Sequence, residues 1–146
     1  MIANRFQPRA LVGTLRLLPV AFSDAWWCRR QVAAIADLRE LLLAVEERAQ
    51  TRRRRAPDPR DLVRATGLAL RVLRAPDRSC VLRSLVHYSA LCAAGEPAAF
   101  VSGVGRFDGA VDGHAWVESA LLPLSLTADD ASPTRYAVGF RHPEHR

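Results

Sequence analysis

Two side chains in this sequence are suited to act on a carbonyl as a pair. Cys80 stands in Ser-Cys-Val-Leu-Arg-Ser-Leu, at the opening of an apolar, helix-like run, and His114 stands in Gly-His-Ala-Trp-Val-Glu, at the opening of a strand-like one. A cysteine and a histidine far apart in sequence are the form a thiol nucleophile and its base take before folding joins them. At the first turn of a helix, Cys80 would lie beside unpaired backbone amides and the positive end of the helix dipole, both of which favour the nucleophilic thiolate. The same amides are suited to stabilise the oxyanion formed when a carbonyl is attacked. Taken alone, Cys80 has the alternative reading of a buried packing residue.

For the base, strand alternation puts His114, Trp116 and Glu118 on one face and Ala115, Val117 and Ser119 on the other. If the first face packs over the start of the cysteine helix, the imidazole can take the thiol proton and return it to a leaving amine. His87 competes for that role but lies about 10 Å from Cys80 along a helix axis. His142 and His145 fall in a polar C-terminal tail and read as solvated. A histidine base also takes an orienting acceptor on its other nitrogen. Asp129 and Asp130 both follow the next apolar segment, and the sequence does not choose between them. Glu118, four residues along the same strand face, points parallel to His114 and suits that task less well.

The elements that must position these groups are legible in outline. Pro8 to Leu18 and Asp24 to Ala49 read as helices, the second capped by Ser23 or Asp24 and carrying Val32, Ile35, Leu38, Leu42 and Val45 at helical spacing. Trp26 and Trp27 at its start read as packing residues, with a peptide-binding surface as the alternative, and Cys28 beside them reads as a small packing residue. The basic run Arg52 to Arg55 and the following Ala-Pro-Asp-Pro mark a boundary, either a solvated linker or a guide for an acidic peptide. Asp61 to Arg74 predicts another helix, stopped by Ala75-Pro76-Asp77. Asp77 or Ser79 then caps a helix that runs to about Ala94 and is ended by Gly95 and Pro97. Its broad apolar face of Val81, Leu82, Leu85, Val86, Ser89 and Cys92 predicts a central, buried helix. Beyond it, Ala98 to Val104 reads as a strand, Arg106 to Gly113 as a loop, His114 to Ser119 as a strand with Leu121 to Thr127 as its hairpin partner, and Tyr136 to Phe140 as an edge strand. Helices first and strands afterwards predict an α+β domain.

Composition bounds the function. The 146 residues, 49% hydrophobic and 25% charged, suffice for one domain with a proper core. The net charge of +6 rests on arginine, since lysine is absent, and suits an acidic partner. No alternation of basic and aromatic residues and no recognition-helix motif points to nucleic acid. Three cysteines, Cys28, Cys80 and Cys92, without a Cys-x-x-Cys pair, indicate neither a disulfide framework nor a zinc site, and fit a reducing cytoplasm. Arg16 and Pro19 interrupt the N-terminal apolar segment, which argues against a signal peptide, and no run approaches the roughly 20 apolar residues of a membrane helix.

The segment from Asp61 to Tyr136 resembles the transglutaminase-like cysteine proteases that process lasso-peptide precursors, the microcin-type leader peptidases. The resemblance is carried by Cys80-Val-Leu-Arg83-Ser84-Leu85, a helix ending at Gly95-Glu96-Pro97, then Phe100-Val-Ser-Gly103-Val104 and Gly113-His114-Ala115-Trp116-Val117-Glu118. It implies a papain-like core with N-terminal helices packed on a small antiparallel sheet, as a single domain over 1–146 whose helical part is 1–55 and whose catalytic core is 58–146. It also implies a Cys-His-Asp triad that removes a leader from a ribosomally made precursor without metal or organic cofactor. The third triad member carries over to Asp129, with Asp130 close behind, although the turn after Glu118 lacks the family's glycine and the hairpin is longer. Arg83 matches the motif as structural support or as a contact to the substrate backbone. Because the first 55 residues read as helical, the resemblance suggests a separate leader-recognition protein as partner, beside the precursor peptide and the lasso cyclase. Two other functions fit the same residues: transglutaminase-like acyl transfer to an amine, and a catalytically silent module that binds the peptide.

Overall fold

The computed structural model describes residues 8–52, 58–73, 80–121 and 135–143. These form four helices, α1 (Pro8–Ala34), α2 (Leu38–Arg52), α3 (Pro59–Val72) and α4 (Cys80–Ala94), followed by three strands, β1 (Ala99–Phe107), β2 (Ala110–Glu118) and β3 (Ala137–His142). The strands make one antiparallel sheet in the order β2, β1, β3. The α+β expectation holds. Among the described residues no helix is long and apolar enough to cross a membrane.

The helix α4 is the centre. Ser84 to Leu91 are all buried, and its Leu82, Leu85, Val86, Tyr88 and Leu91 share one apolar cluster with Cys28 of α1, Leu42 and Val45 of α2, Val63 of α3, Phe100 of β1 and Val117 of β2. A helix apolar nearly all round must have neighbours all round, and α1, α2 and α3 supply them on one side while β1 and β2 supply them on the other. The N-terminal helices thus meet the sheet largely through α4. Gly95, at φ 75°, ends that helix as expected, with the Glu96 amide donating to the Leu91 carbonyl at 2.9 Å.

The helix boundaries at the N-terminus differ from those expected. One helix, α1, runs through Pro19 to Ala34, so Asp24 is not a cap and both tryptophans fall in mid-helix, where Trp27 packs against the main core but Trp26, against expectation, is exposed. Proline removes a single intrahelical hydrogen bond, and here Leu17, Leu18, Ala21 and Phe22 around it pack on Ala65 and Ala69 of α3, which holds the helix together. The break falls instead after Ala34, where Asp37 Oδ1 accepts the Glu40 amide at 2.9 Å and starts α2. The signal was present in Asp37-Leu-Arg-Glu40, which has the spacing of a capping box. Buried Asp24 accepts from Arg48 Nε at 3.4 Å and from Arg52 Nη1, fastening α1 to α2, and the Arg48 guanidinium lies 4.7 Å over the Trp27 ring. Arg52, the first residue of the basic run, is therefore part of the fold. Arg53 to Arg55 lie outside the described residues.

The sheet also corrects the expected loop at Arg106 to Gly113. Asp108 and Gly109, at φ 50° and 84°, form a tight two-residue turn, and β1 and β2 pair in register right up to it, Phe107 opposite Ala110. Two consecutive positive φ values are what this hairpin turn requires, and Asp-Gly supplies them cheaply. His114 accordingly sits within β2, opposite Gly103, and not at the start of a strand. The expected hairpin partner, Leu121 to Thr127, lies outside the described residues except for Leu121, which is in a turn.

Candidate active site

Cys80 is the first residue of α4 and is half-buried against the main core. One turn later, the Ser84 hydroxyl donates to the Ala115 carbonyl at 2.9 Å, fully buried. Ala115 is the residue directly after His114, so this bond fastens the cysteine end of α4 to β2 at the histidine. Asp77 and Ser79, the expected caps, lie outside the described residues.

Alternation along β2 is as expected, but the faces pack differently. Ala115 and Val117 join the α4 core, whereas Trp116 joins Val101 and Tyr136 in a second cluster. His114 belongs to that second group. Its ring stacks at 6.0 Å on Trp116 and at 5.1 Å on Tyr136, with the Trp116 and Tyr136 rings 6.3 Å apart. The expectation that the His114 face itself packs over the start of the helix is thus replaced by a different arrangement. Helix α4 packs on the Ala115 and Val117 face and its Ser84 reaches the strand's backbone, while His114 packs on the other face against Trp116 and Tyr136. The Tyr136 phenol is held above its ordinary pKa by burial, then by its hydrogen bond to Asp112 and that carboxylate's charge, and also by the charge of Cys80. Tyr136 therefore touches His114 and lies within electrostatic reach of Cys80.

The sheet is shaped to admit Tyr136. Gly103 and Gly105 of β1 face the same side as His114 and Asp112, their partners in register. A Cβ on Gly103 would meet the Ala137 carbonyl oxygen at 2.6 Å, and one on Gly105 would meet the Phe107 ring at 2.6 Å and the Arg135 carbonyl oxygen at 3.0 Å. The two glycines let the chain at 135–137 lie close to β1 and bring Tyr136 onto the histidine. Tyr136, 8% exposed, donates its hydroxyl to Asp112 Oδ2 at 3.1 Å.

The other candidates are committed elsewhere. Glu118 accepts from Trp116 Nε1 at 3.3 Å and from Arg141 Nη2 at 2.6 Å, which ties β2 to β3 across β1. His87 is buried in α4, and burial, then the nearby Arg83, lowers its pKa to about 4. It is a neutral interior residue. His142 is not a solvated tail residue: its Nε2 lies 2.9 Å from Glu46 Oε1, which also accepts the Tyr88 hydroxyl at 2.5 Å. Its ring stands edge-on to Tyr88, so the polar appearance of the C-terminal sequence concealed a strand end docked on α2 and α4. His145 lies outside the described residues. Cys28 is fully buried, with its pKa pushed up to about 12 by burial first and by Asp24 second, as fits a packing residue.

Asp129 and Asp130, between which the third catalytic position was left, both lie outside the described residues. Two residues of this neighbourhood, Tyr136 and Asp112, were missed in the sequence. The sequence reads Asp112 as part of a loop and Tyr136 only as the beginning of an edge strand. The signals that reveal them are the Asp108-Gly109 turn, which puts Asp112 and His114 on one face, and the alternate glycines opposite them. Among the described residues, no three of His, Cys, Asp and Glu are grouped as metal ligands would be.

A protein-family model described as the transglutaminase-like superfamily matches residues 25–138. No curated protein and no solved structure matches the chain.

Proposed function

From the premise that this chain belongs to the transglutaminase-like superfamily, we propose that it is a cysteine peptidase that removes the leader from a ribosomally synthesised lasso-peptide precursor. The observation that carries this reading is the Ser84 to Ala115 hydrogen bond, which joins the helix opened by Cys80 to the strand residue next to His114. Cys80 Sγ, as thiolate, attacks the scissile carbonyl while the amides of the first turn of α4 receive the developing oxyanion. His114 then gives its proton to the leaving amine, a thioester remains on Cys80, and a water deprotonated by His114 releases the acid. Asp129 orients the imidazole in this scheme. The arginine surplus favours an acidic leader or an acidic surface on a separate leader-recognition protein, and the reaction belongs in the cytoplasm ahead of the lasso cyclase.

Mass spectrometry of a precursor incubated with this protein and its recognition partner tests the proposal. Wild type is expected to yield leader and core peptides, and Cys80→Ala neither. Cleavage by both would remove Cys80 as nucleophile. The superfamily also contains acyltransferases, and the same spectra separate that reading, since hydrolysis adds water to the leader's new terminus and acyl transfer adds an amine.

A further inference from the structure

Tyr136 combines three observations that no catalytic step above uses. It stacks on His114 at 5.1 Å with ring planes 27° apart, donates to Asp112 Oδ2 at 3.1 Å, and is admitted to that position by two glycines whose side of β1 would otherwise be filled. A residue needed only to fill an apolar cluster needs neither the hydroxyl bond nor the parallel ring contact with a histidine. We propose that Tyr136, braced by Asp112, is a positioning residue that fixes the plane of the His114 imidazole for proton exchange with Cys80.

The physical case is one of ring freedom. An imidazole attached by two rotatable bonds can deliver its nitrogen to the thiol in one orientation only, and a small misplacement of a catalytic group costs on the order of 100-fold in rate. Trp116 lies on the same strand two residues away and stacks at 6.0 Å. Tyr136 comes from a different part of the chain, at the entrance to β3, and closes the ring triangle at 6.3 Å from Trp116. Its own tilt is set by Asp112, which shares a face of β2 with His114, so the strand that carries the imidazole also carries the anchor for the ring that holds it. The charged groups acting on the phenol are Asp112 from β2, Cys80 from α4 and Arg135 from the segment before β3. The first two favour the protonated phenol, the form that donates to Asp112.

This inference rests on the reading of Cys80 and His114 as nucleophile and base, and the test separates the two. The full-length protein is treated with iodoacetamide at pH 5 to 9, and the rate of Cys80 alkylation is followed by peptide mass spectrometry in wild type, His114→Ala, Tyr136→Leu, Tyr136→Phe and Asp112→Asn. If His114 exchanges a proton with Cys80, wild type is alkylated faster than His114→Ala toward the acid end of this range. Tyr136→Leu is expected to move the Cys80 profile most of the way toward that of His114→Ala and to lower precursor cleavage roughly 10- to 100-fold. Tyr136→Phe removes this hydrogen bond and Asp112→Asn weakens it by replacing a charged acceptor with a neutral one, while both keep the ring, so both shift the profile by less than Tyr136→Leu, and Asp112→Asn adds no further shift in a Tyr136→Phe background. A wild-type profile in Tyr136→Leu, Tyr136→Phe and Asp112→Asn, with His114→Ala altered, overturns the positioning role and leaves the peptidase reading standing. A Cys80 profile unchanged by His114→Ala overturns both. Should Tyr136→Leu fail to fold, the Phe and Asn variants decide the matter alone.

Discussion

His87 and His114 are the same side chain in two surroundings, and burial decides what each can do. His87 is closed inside α4's core, where ionisation is penalised and its pKa falls to about 4. Between that value and the ordinary 6.5, the unfolded chain binds a proton that the folded chain does not. The stability this residue supports is therefore present above about pH 6.5 and lost as the pH falls toward 4, amounting to roughly 3 kcal/mol at the acid end. Urea unfolding of wild type and His87→Leu at pH 7 and pH 4.5 measures it: the loss of stability on acidification is expected to be smaller in the variant by roughly 2 to 3 kcal/mol. Equal losses would mean that His87 is not the acid-sensitive group. Residue identity alone told the reader that Cys80 and His114 could pair and that helical spacing placed His87 too far from the thiol. It left Tyr136 unplaced, because the Asp108-Gly109 turn and the alternate glycines mark a face open to a neighbour without naming it, and the neighbour is set by the pairing of β3 with β1.

Among the elements, the ones that the sequence revealed are those with strong local causes. The helix α4 has a continuous apolar face and a Gly95 stop, and α3 has Asp58 as its N-cap, accepting the Arg60 amide at 2.8 Å, with Pro59 in its first turn. The elements misjudged are those whose local cue was overridden or passed over: α1 keeps its course through Pro19 because α3 packs against it, and the β1–β2 hairpin turns at Asp108-Gly109 inside what reads as a polar loop. Glycines follow the same division. Gly103 of β1 is required by a neighbour, since a Cβ there would stand 2.6 Å from the Ala137 carbonyl oxygen, a backbone atom that moves only with β3. Gly103→Ala is expected to destabilise the protein by about 1–3 kcal/mol and to lose precursor cleavage as Tyr136 is pushed off His114. Gly67 of α3 is required by nothing, for a Cβ there meets no atom within 4 Å. Gly67→Ala is expected to stabilise by about 0.5–1 kcal/mol, through the smaller entropy lost by alanine in a helix, with cleavage unchanged. Denaturant midpoints and cleavage rates of the two variants check both signs.

At the scale of the molecule, the question is whether the N-terminal helices are an appendage to the catalytic half or part of its support. Cys28 of α1 and Leu42 and Val45 of α2 are fully buried in the cluster that also holds Leu85 of α4 and Val117 of β2, so the layer of helices and the sheet share one core through α4. The polar fastening between α1 and α2 is Asp24, 4% exposed, with Arg48 and Arg52 both directed at it. Removing the carboxylate leaves two partly buried guanidinium groups without their counter-charge, a change that costs about 3 kcal/mol when a buried pair loses one member. If the core is shared as these contacts indicate, Asp24→Ala destabilises the sheet as much as the helices, although the guanidinium groups it holds are both in α2. In a Trp26→Phe, Trp27→Phe background, which leaves Trp116 of the sheet as the one tryptophan, helix content by circular dichroism and tryptophan fluorescence are then expected to shift to lower denaturant together and to remain coincident, the mark of a single cooperative transition. Loss of helix signal ahead of the tryptophan signal would instead make the N-terminal helices a separately melting layer. In that event α4 and the sheet would hold Cys80 and His114 without them, and the helices would be free to serve as a surface for the precursor or its recognition protein.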